Sequence, residues 1–490
     1  MHEPRATAIT LLVAGIVLAA CVLSTRLAAR TGVPVFIVFV LLGLVAGEEG
    51  LGGIAFGDYE KAFRVGYGAL VLILFDAGLN TPVGTFRRYL APSLVLATIG
   101  VIVTAGLVAV VARASGFEWI EALLLGAIVS STDAAAVFAV LKTGGVELRE
   151  RVGATLEIES GLNDPMAVIL TTVLTSAMAS GRPPEWTAMG AVLLELSIGA
   201  LAGVALGWIV RLGLSRLELP VSALYPVLTL GVAFLVFGAA TLAHGSGFLA
   251  VYVAGMVIGG AHLPYRAALS RIHDFTAWAG QVGMFVMLGL LASPSRVMHV
   301  ALPGFAIGLF VALVARPLAV LLCLVPFRYR PREMAFVGWV GLKGAVPIVL
   351  ACIPILARTR GAEKIFDVVF FAVVVSAALQ GSTVRLAAKW LRVGRGRSAT
   401  ARAVLEITAT RPLGADVLAY EVHAASAVNG VTLADIPFPD SAAVMLVVRG
   451  DELLPARGPT ELRPSDVVYV FCRAEDRPEI DLFFGKAHEA

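Results

Sequence analysis

The chain is 490 residues long, 58% hydrophobic and only 15% charged, with a mean hydropathy of +0.87. Soluble domains carry about one quarter charged residues, so this composition excludes a soluble globular protein and points to a polytopic membrane protein. The net charge of +3 hides an asymmetry, with 30 Lys/Arg against 21 Asp/Glu in residues 1–399 and 8 against 14 in residues 400–490; the acidic end argues against nucleic-acid binding.

Hydrophobic runs separated by short charged loops predict about thirteen spans. They lie near 8–28, 33–48, 64–80, 90–112, 120–141, 152–179, 188–210, 222–243, 246–261, 275–291, 300–326, 333–357 and 365–388. The first has the apolar look of a signal peptide. No small-residue cleavage site and soluble domain follow it, so it reads as a membrane helix. The 50 glycines suit close helix packing rather than disorder. Cys21, Cys323, Cys352 and Cys472 are scattered, with no metal-ligand spacing and no disulfide framework.

Lys and Arg in the loops set the orientation. A cytoplasmic C-terminus places about nineteen of them inside and about nine outside. With an odd number of spans, the N-terminus is then outside. After Arg397 short Val-, Ile-, Leu- and Tyr-rich runs near 401–408, 417–423, 442–449 and 466–472 alternate with turn residues. Arg449-Gly450-Asp451-Glu452 reads as a hairpin turn and Arg463-Pro464-Ser465-Asp466 as a turn into a strand. The expected organisation is a membrane domain over 1–392, a basic linker over 393–400 and a small α+β domain over 401–490.

Acids inside the spans carry the chemistry. A carboxylate at bilayer depth costs about 2.5–3.5 kcal/mol even on lenient insertion scales, and such residues usually face a cavity and handle an ion or proton. Glu159, Ser160, Asn163 and Asp164 fall at i, i+1, i+4 and i+5 of the sixth span and share one helix face. Pro165 removes a backbone donor there and is expected to loosen the helix. The bland alternative is a satisfied polar patch that only glues helices together.

Ser130-Ser131-Thr132-Asp133 sits mid-span in the fifth, where such side chains offer the backbone competing hydrogen bonds. Gly341-Leu342-Lys343-Gly344-Ala345-Val346-Pro347 sits mid-span in the twelfth and predicts a broken helix. Irregular backbone at that depth needs protein or a water-filled cavity around it. Two interrupted helices in corresponding halves suggest an inverted-repeat transporter with its site at their crossing. Asp133 would offset the positive half-helix ends and Lys343 the negative ones.

Arg316 is also deep and needs an acid, for which Glu159 is the best candidate; the pair reads as structural. Asp76 ends an apolar run, where it lines an approach path or snorkels at the surface. Glu48 and Glu49 lie near a membrane face. Glu157, two residues from Glu159, points elsewhere and receives no role, and His244 and His262 read as interfacial.

E-S-G-L-N-D-P (159–165), S-S-T-D-A-A-A-V (130–137), V-A-R-P-L (314–318) and G-L-K-G-A-V-P (341–347) together resemble the monovalent cation:proton antiporters of the bacterial NhaP type, relatives of animal sodium/proton exchangers. The resemblance covers essentially the whole membrane part. It implies a homodimer of 13-helix protomers in a bacterial inner membrane, each with a core and a dimerisation domain. It implies Asp164 as the ion and proton carboxylate, with Asp133, Ser160 and the Thr132 carbonyl as further ligands. Asn163 stands where electrogenic relatives carry a second aspartate, which resembles the electroneutral branch with one proton per cation. Glu159 and Arg316 match that branch's buried pair. Lys343 departs from the motif, which commonly has arginine.

The run P-x-x-S-A-A-V-M-L-V-V-R-G-D-E-L-L-P-A-R-G-P-T-E-L-R-P-S-D is similar to the C-terminal regulatory domain of potassium transport proteins. This favours K+ as the cation and implies a small regulatory ligand or a dimerisation role for the tail. Na+ or Li+ exchange on the same fold is the alternative.

The expected mechanism is competition. A buried carboxylate favours its neutral form and a nearby cation favours the charged one, so a proton and an alkali cation exclude each other at Asp164. No G-x-x-x-x-G-K-[ST] motif is present, and neither a cofactor nor a resident metal is expected. An intramembrane aspartyl protease is a distant alternative: G-L-N-D only faintly echoes its motif, and Asp76 follows Phe75 rather than Tyr. A channel gated by the tail is another, without a visible selectivity-filter repeat.

Overall fold

The computed structural model describes residues 3–490 except 32–33, 144, 183–186, 218, 222, 261–265, 396–414, 424–425, 451, 474 and 486–490. The expected strand near 401–408 and most of the linker lie outside the described residues. By chain contacts the molecule divides into two compact units, the larger ending at Arg395.

The larger unit is helical. It opens with α1 (Glu3–Thr31), α2 (Val35–Ala46) and α3 (Tyr59–Asn80). The fourth span joins α4 (Val83–Val95) to α5 (Val101–Ala114) through a π-turn. The fifth is broken into α6 (Trp119–Ser130) and α7 (Ala134–Thr143). Next come α8 (Glu150–Ser180), α9 (Thr187–Arg216), α10 (Leu224–Leu242), α11 (Gly247–Gly259) and α12 (Arg266–Leu291). After the short α13 (Pro294–His299), the eleventh span joins α14 (Ala301–Phe310) to α15 (Arg316–Leu324) through a second π-turn. The twelfth is broken into α16 (Pro331–Trp339) and α17 (Val346–Leu356). The thirteenth joins α18 (Ala362–Ser376) to α19 (Ser382–Trp390) through a third π-turn. Among the described residues, 9 helices are long and apolar enough to cross a membrane, and shorter apolar helices cover the first, second, ninth and twelfth spans.

Proline explains one of the π-turns. Pro317 lacks an amide hydrogen, so the Leu313 carbonyl four residues back loses its partner and the helix widens locally. The turn at Val311–Ala315 leads directly into Arg316 and Pro317. Pro165 behaves differently: α8 passes through it without interruption from Glu150 to Ser180. The missing donor at Pro165 does not break the helix, and Pro165 is buried within it. Close backbone approach elsewhere relies on glycine. A Cβ on Gly78 would lie 2.2 Å from Tyr252 O, and one on Gly255 would lie 2.6 Å from Phe75 O, so only glycine lets α3 and α11 meet at this distance.

A two-residue ladder closes the larger unit, β1 (Glu147–Leu148) pairing antiparallel with β2 (Gly394–Arg395). The smaller unit contains an antiparallel sheet of order β3-β6-β4-β5, made of β3 (Ala415–Glu421), β4 (Ala443–Arg449), β5 (Glu452–Pro455) and β6 (Val467–Arg473). Gly450 supplies the positive φ (60°) of the β4–β5 hairpin. One face of the sheet buries Leu418, Tyr420, Val447, Val468 and Val470 against Ile480 and Phe484 of α20 (Arg477–Phe484). The turn at 463–466 is held by Asp466, which is 1% exposed, accepts from Arg463 N at 2.8 Å and pairs with Arg449 at 2.8 Å.

Candidate functional site

The two broken helices cross, and their unwound segments are joined by backbone: Asp133 N donates to Leu342 O at 2.8 Å. Each break leaves half-helix ends inside the protein, which need partners. Lys343 satisfies one of them. Its Nζ donates to Ser130 O (3.2 Å) and Ser131 O (2.9 Å), the last carbonyls of α6. The residue is 1% exposed, so it does not snorkel. Its own amide donates to Ser376 Oγ at 3.0 Å, Ser376 donates to Gln380 at 2.6 Å, and Gln380 donates to Trp339 O at 2.8 Å. Asp133 caps the other end, its Oδ1 accepting from Ala136 N at 2.9 Å in the first turn of α7. A Cβ on Gly344 would sit 2.0 Å from Asp133 Oδ2, so the carboxylate packs on the second break through a missing side chain.

The polar face of α8 lies against the first break. Asp164, 5% exposed, accepts from Ser131 Oγ at 2.6 Å. Ser160 Oγ donates to Thr132 O at 2.9 Å and accepts from Ala134 N at 3.2 Å. Asn163 Nδ2 donates to Thr132 Oγ1 (2.6 Å) and to Glu159 Oε1 (3.1 Å). Asn163 Oδ1 is buried without a hydrogen-bond partner among the described residues. Two carboxylates, two hydroxyls and a main-chain carbonyl thus meet where α6 stops. All are hard oxygen donors, the type that alkali cations take.

Beside this group, Arg316 grips Glu159 with two parallel bonds of 2.8 and 2.7 Å. The side chains are 3% and 1% exposed. Gly341 makes room for the arginine: a Cβ there would lie 2.7 Å from Arg316 Cγ. Both charges are therefore desolvated and used up by each other, with Thr132 Oγ1 adding a bond to Glu159 at 3.3 Å.

The structure brings Asp164, Asp133, Asn163, Ser160, Thr132, Glu159, Arg316 and Lys343 together. Asp76 stands apart. It accepts from Asn80 Nδ2 at 3.0 Å and interacts with Glu157 and Asp274. Glu157, which received no role from sequence, accepts from Thr81 Oγ1 at 3.1 Å, and Thr81 lies 3.4 Å from Tyr252 OH. Ser131 is the residue that sequence reasoning passed over as a partner of Asp164. Its place in a Ser-Ser-Thr-Asp run was visible, but which hydroxyl faces α8 depends on where the helix unwinds. The Ser376–Gln380–Trp339 chain behind Lys343 had no sequence signal.

Residues 15–390 match the family described as "Sodium/hydrogen exchanger, transmembrane". The chain belongs to the sodium/hydrogen exchanger family. Residues 417–485 match the TrkA-C domain. Among curated relatives of this exchanger, the K(+)/H(+) antiporter NhaP of Alkalimonas amylolytica is 39% identical over 482 residues, spanning 98% of this chain and 84% of that protein. The K(+)/H(+) antiporter NhaP2 of Shewanella oneidensis is 37% identical, spanning 97% and 85%. In fold, the exchanger is similar to the sodium proton antiporter MjNhaP1 of Methanocaldococcus jannaschii, with a TM-score of 0.67 at 22% identity, covering 78% of this chain and 99% of that one.

Proposed function

We propose that this exchanger moves a monovalent cation, K+, in exchange for H+, with Asp164 as the carboxyl that carries either one. The observation that carries the reading is the buried carboxylate of Asp164 among Ser131, Thr132, Ser160 and Asp133 at the crossing of two broken helices. The half-reaction balances simply: a protonated carboxyl releases H+ as the cation binds the carboxylate, and the reverse occurs on the other side. Either loaded form is close to neutral and can move past an apolar seal, whereas the empty charged form cannot. Alternating access follows from rocking of one helix bundle against the other around a fixed site.

Lys343 holds the carbonyls of α6 and Arg316 neutralises Glu159. The Glu159–Arg316 pair then keeps its net charge during the cycle, which supports one proton per cation. Asn163 beside Asp164 supports the same stoichiometry, since it adds no second titrating carboxyl. Asp76 and Glu157 form an acidic approach that concentrates cations. The functional unit is a homodimer in a bacterial inner membrane with its C-terminus in the cytoplasm. Residues 1–392 form the transport domain, 393–400 the linker and 401–490 a regulatory domain that takes a small ligand.

Potassium is favoured by the names of the relatives that align over nearly the whole chain. Sodium is the second reading, favoured by the Na(+)/H(+) antiporter NhaS2 of Synechocystis, 27% identical over 339 residues. Vesicles loaded with a pH-sensitive dye and given K+, Na+, Li+ or Rb+ in turn separate the two. A response to K+ at lower concentration than to Na+ is expected, and a response to Na+ alone contradicts the potassium reading.

A further inference from the structure

Away from the crossing, an open cavity of about 330 Å³ is lined by Arg88, Tyr89, Pro92, Arg151, Phe327 and Tyr329. This is within the usual size of small-ligand sites, about 300–1,000 Å³. Its walls come from the second and third turns of α4, the first turn of α8 and the loop that follows α15. Arg151 and the loop residues lie at span ends, so the mouth of the cavity is near the level of lipid headgroups. We propose that this cavity binds a phosphate-bearing anion, a phospholipid headgroup being the source its position favours.

The arginines are arranged for such a ligand. Arg151 lies over the Tyr329 ring, its Cζ 3.8 Å from the ring centre, and donates through Nη2 to Phe327 O at 2.7 Å. That fixes the plane of the guanidinium while using one of its five donors. Its Nη1 is 3.9 Å from Glu333, whose carboxylate already accepts from Arg330 N at 3.0 Å. Arg88 lies 5.6 Å from the Tyr89 ring centre and 3.9 Å from Glu150, and is 70% exposed. Arg87, Arg328, Arg330 and Arg332 neighbour these residues in sequence, so the segments that form the cavity are net basic despite Glu150 and Glu333. Planar guanidiniums match phosphate oxygens better than point charges do. The aromatic and proline walls suit a glycerol backbone and the start of an acyl chain, which a free anion would not need. Basic pockets between membrane helices commonly hold anionic headgroups.

The floor of the cavity reaches the transport helix. Tyr329 OH and Thr155 Oγ1 are 2.7 Å apart, and Ser93 Oγ donates to Thr155 O at 3.3 Å. A ligand here would brace α4, α8 and the α15–α16 loop together, nine residues before Asp164 on the same helix.

The test uses the full chain purified in detergent. Its melting temperature is titrated with phosphatidylglycerol, with phosphatidylcholine and with inorganic phosphate at constant ionic strength. Phosphatidylglycerol should raise Tm saturably and phosphatidylcholine should not. Arg88→Gln with Arg151→Gln should move the midpoint at least about tenfold higher, the value of one charge-assisted hydrogen bond. Arg88→Gln alone, an exposed change that leaves packing intact, should move it in the same direction. An arginine-dependent shift with inorganic phosphate assigns the site to the free anion. Equal effects of the two lipids with inert phosphate, or a midpoint unchanged by the arginine substitutions, overturn the proposal.

Discussion

Among the described residues, the hydrogen-bond donor to Asp164 is Ser131 Oγ at 2.6 Å. Removing it as Ser131→Ala takes away a charge-assisted bond worth about 1.5–3 kcal/mol. The protein should still exchange, with a half-saturating cation concentration about tenfold higher; an unchanged value in dye-loaded vesicles would detach Ser131 from the site. The Glu159–Arg316 pair has a different signature. Glu159→Ala or Arg316→Ala strands a buried charge and should cost about 3–5 kcal/mol, seen as a large fall in Tm or yield. Glu159→Leu combined with Arg316→Met leaves no orphan charge and should recover most of that loss. A double variant as unstable as the singles would show that the pair does more than balance itself. Both residues were legible in the sequence because a charge deep in an apolar span demands a counter-charge. Ser131 was not, because nothing in a Ser-Ser-Thr-Asp run says which hydroxyl turns toward α8.

At the scale of elements, the crossing depends on what is missing as much as on what is present. Gly341 and Gly344 leave space for Arg316 and Asp133. Gly344→Ala puts a Cβ onto the Asp133 carboxylate and must push the two breaks apart, so exchange should fall to a small fraction of the native rate. The folded protein should survive in detergent, as judged by a single elution peak; full activity would mean that the crossing has slack. Both breaks could be read from their Gly, Pro and Ser/Thr/Asp clusters, since these residues weaken helices for known reasons. The π-turns at Leu96–Gly100 and Ala377–Gly381 could not, whereas the one at Val311–Ala315 is marked by Pro317. Pro165 shows another limit: the proline expected to loosen α8 does not interrupt it.

For the whole molecule, the spans were legible because hydropathy alone dictates them, whereas the junction at the end of the thirteenth span was not. There, Gly394 and Arg395 form a ladder with Glu147 and Leu148, and Arg149 N donates to Val393 O at 3.0 Å. A chain ending after Arg395 keeps that ladder and should retain cation-driven proton exchange while losing whatever response the TrkA-C domain confers. A chain ending after Leu391 removes the ladder and should be markedly less stable. Equal stability of the two, by thermal melting in detergent, would make the ladder incidental. The central claim is that one carboxyl alternates between a proton and an alkali cation. Potassium-driven proton movement, followed in dye-loaded vesicles containing equal amounts of folded native protein or Asp164→Asn, tests it most directly. Loss of all cation-dependent signal in the variant is the predicted result, and exchange persisting at a rate comparable to the native protein would contradict it.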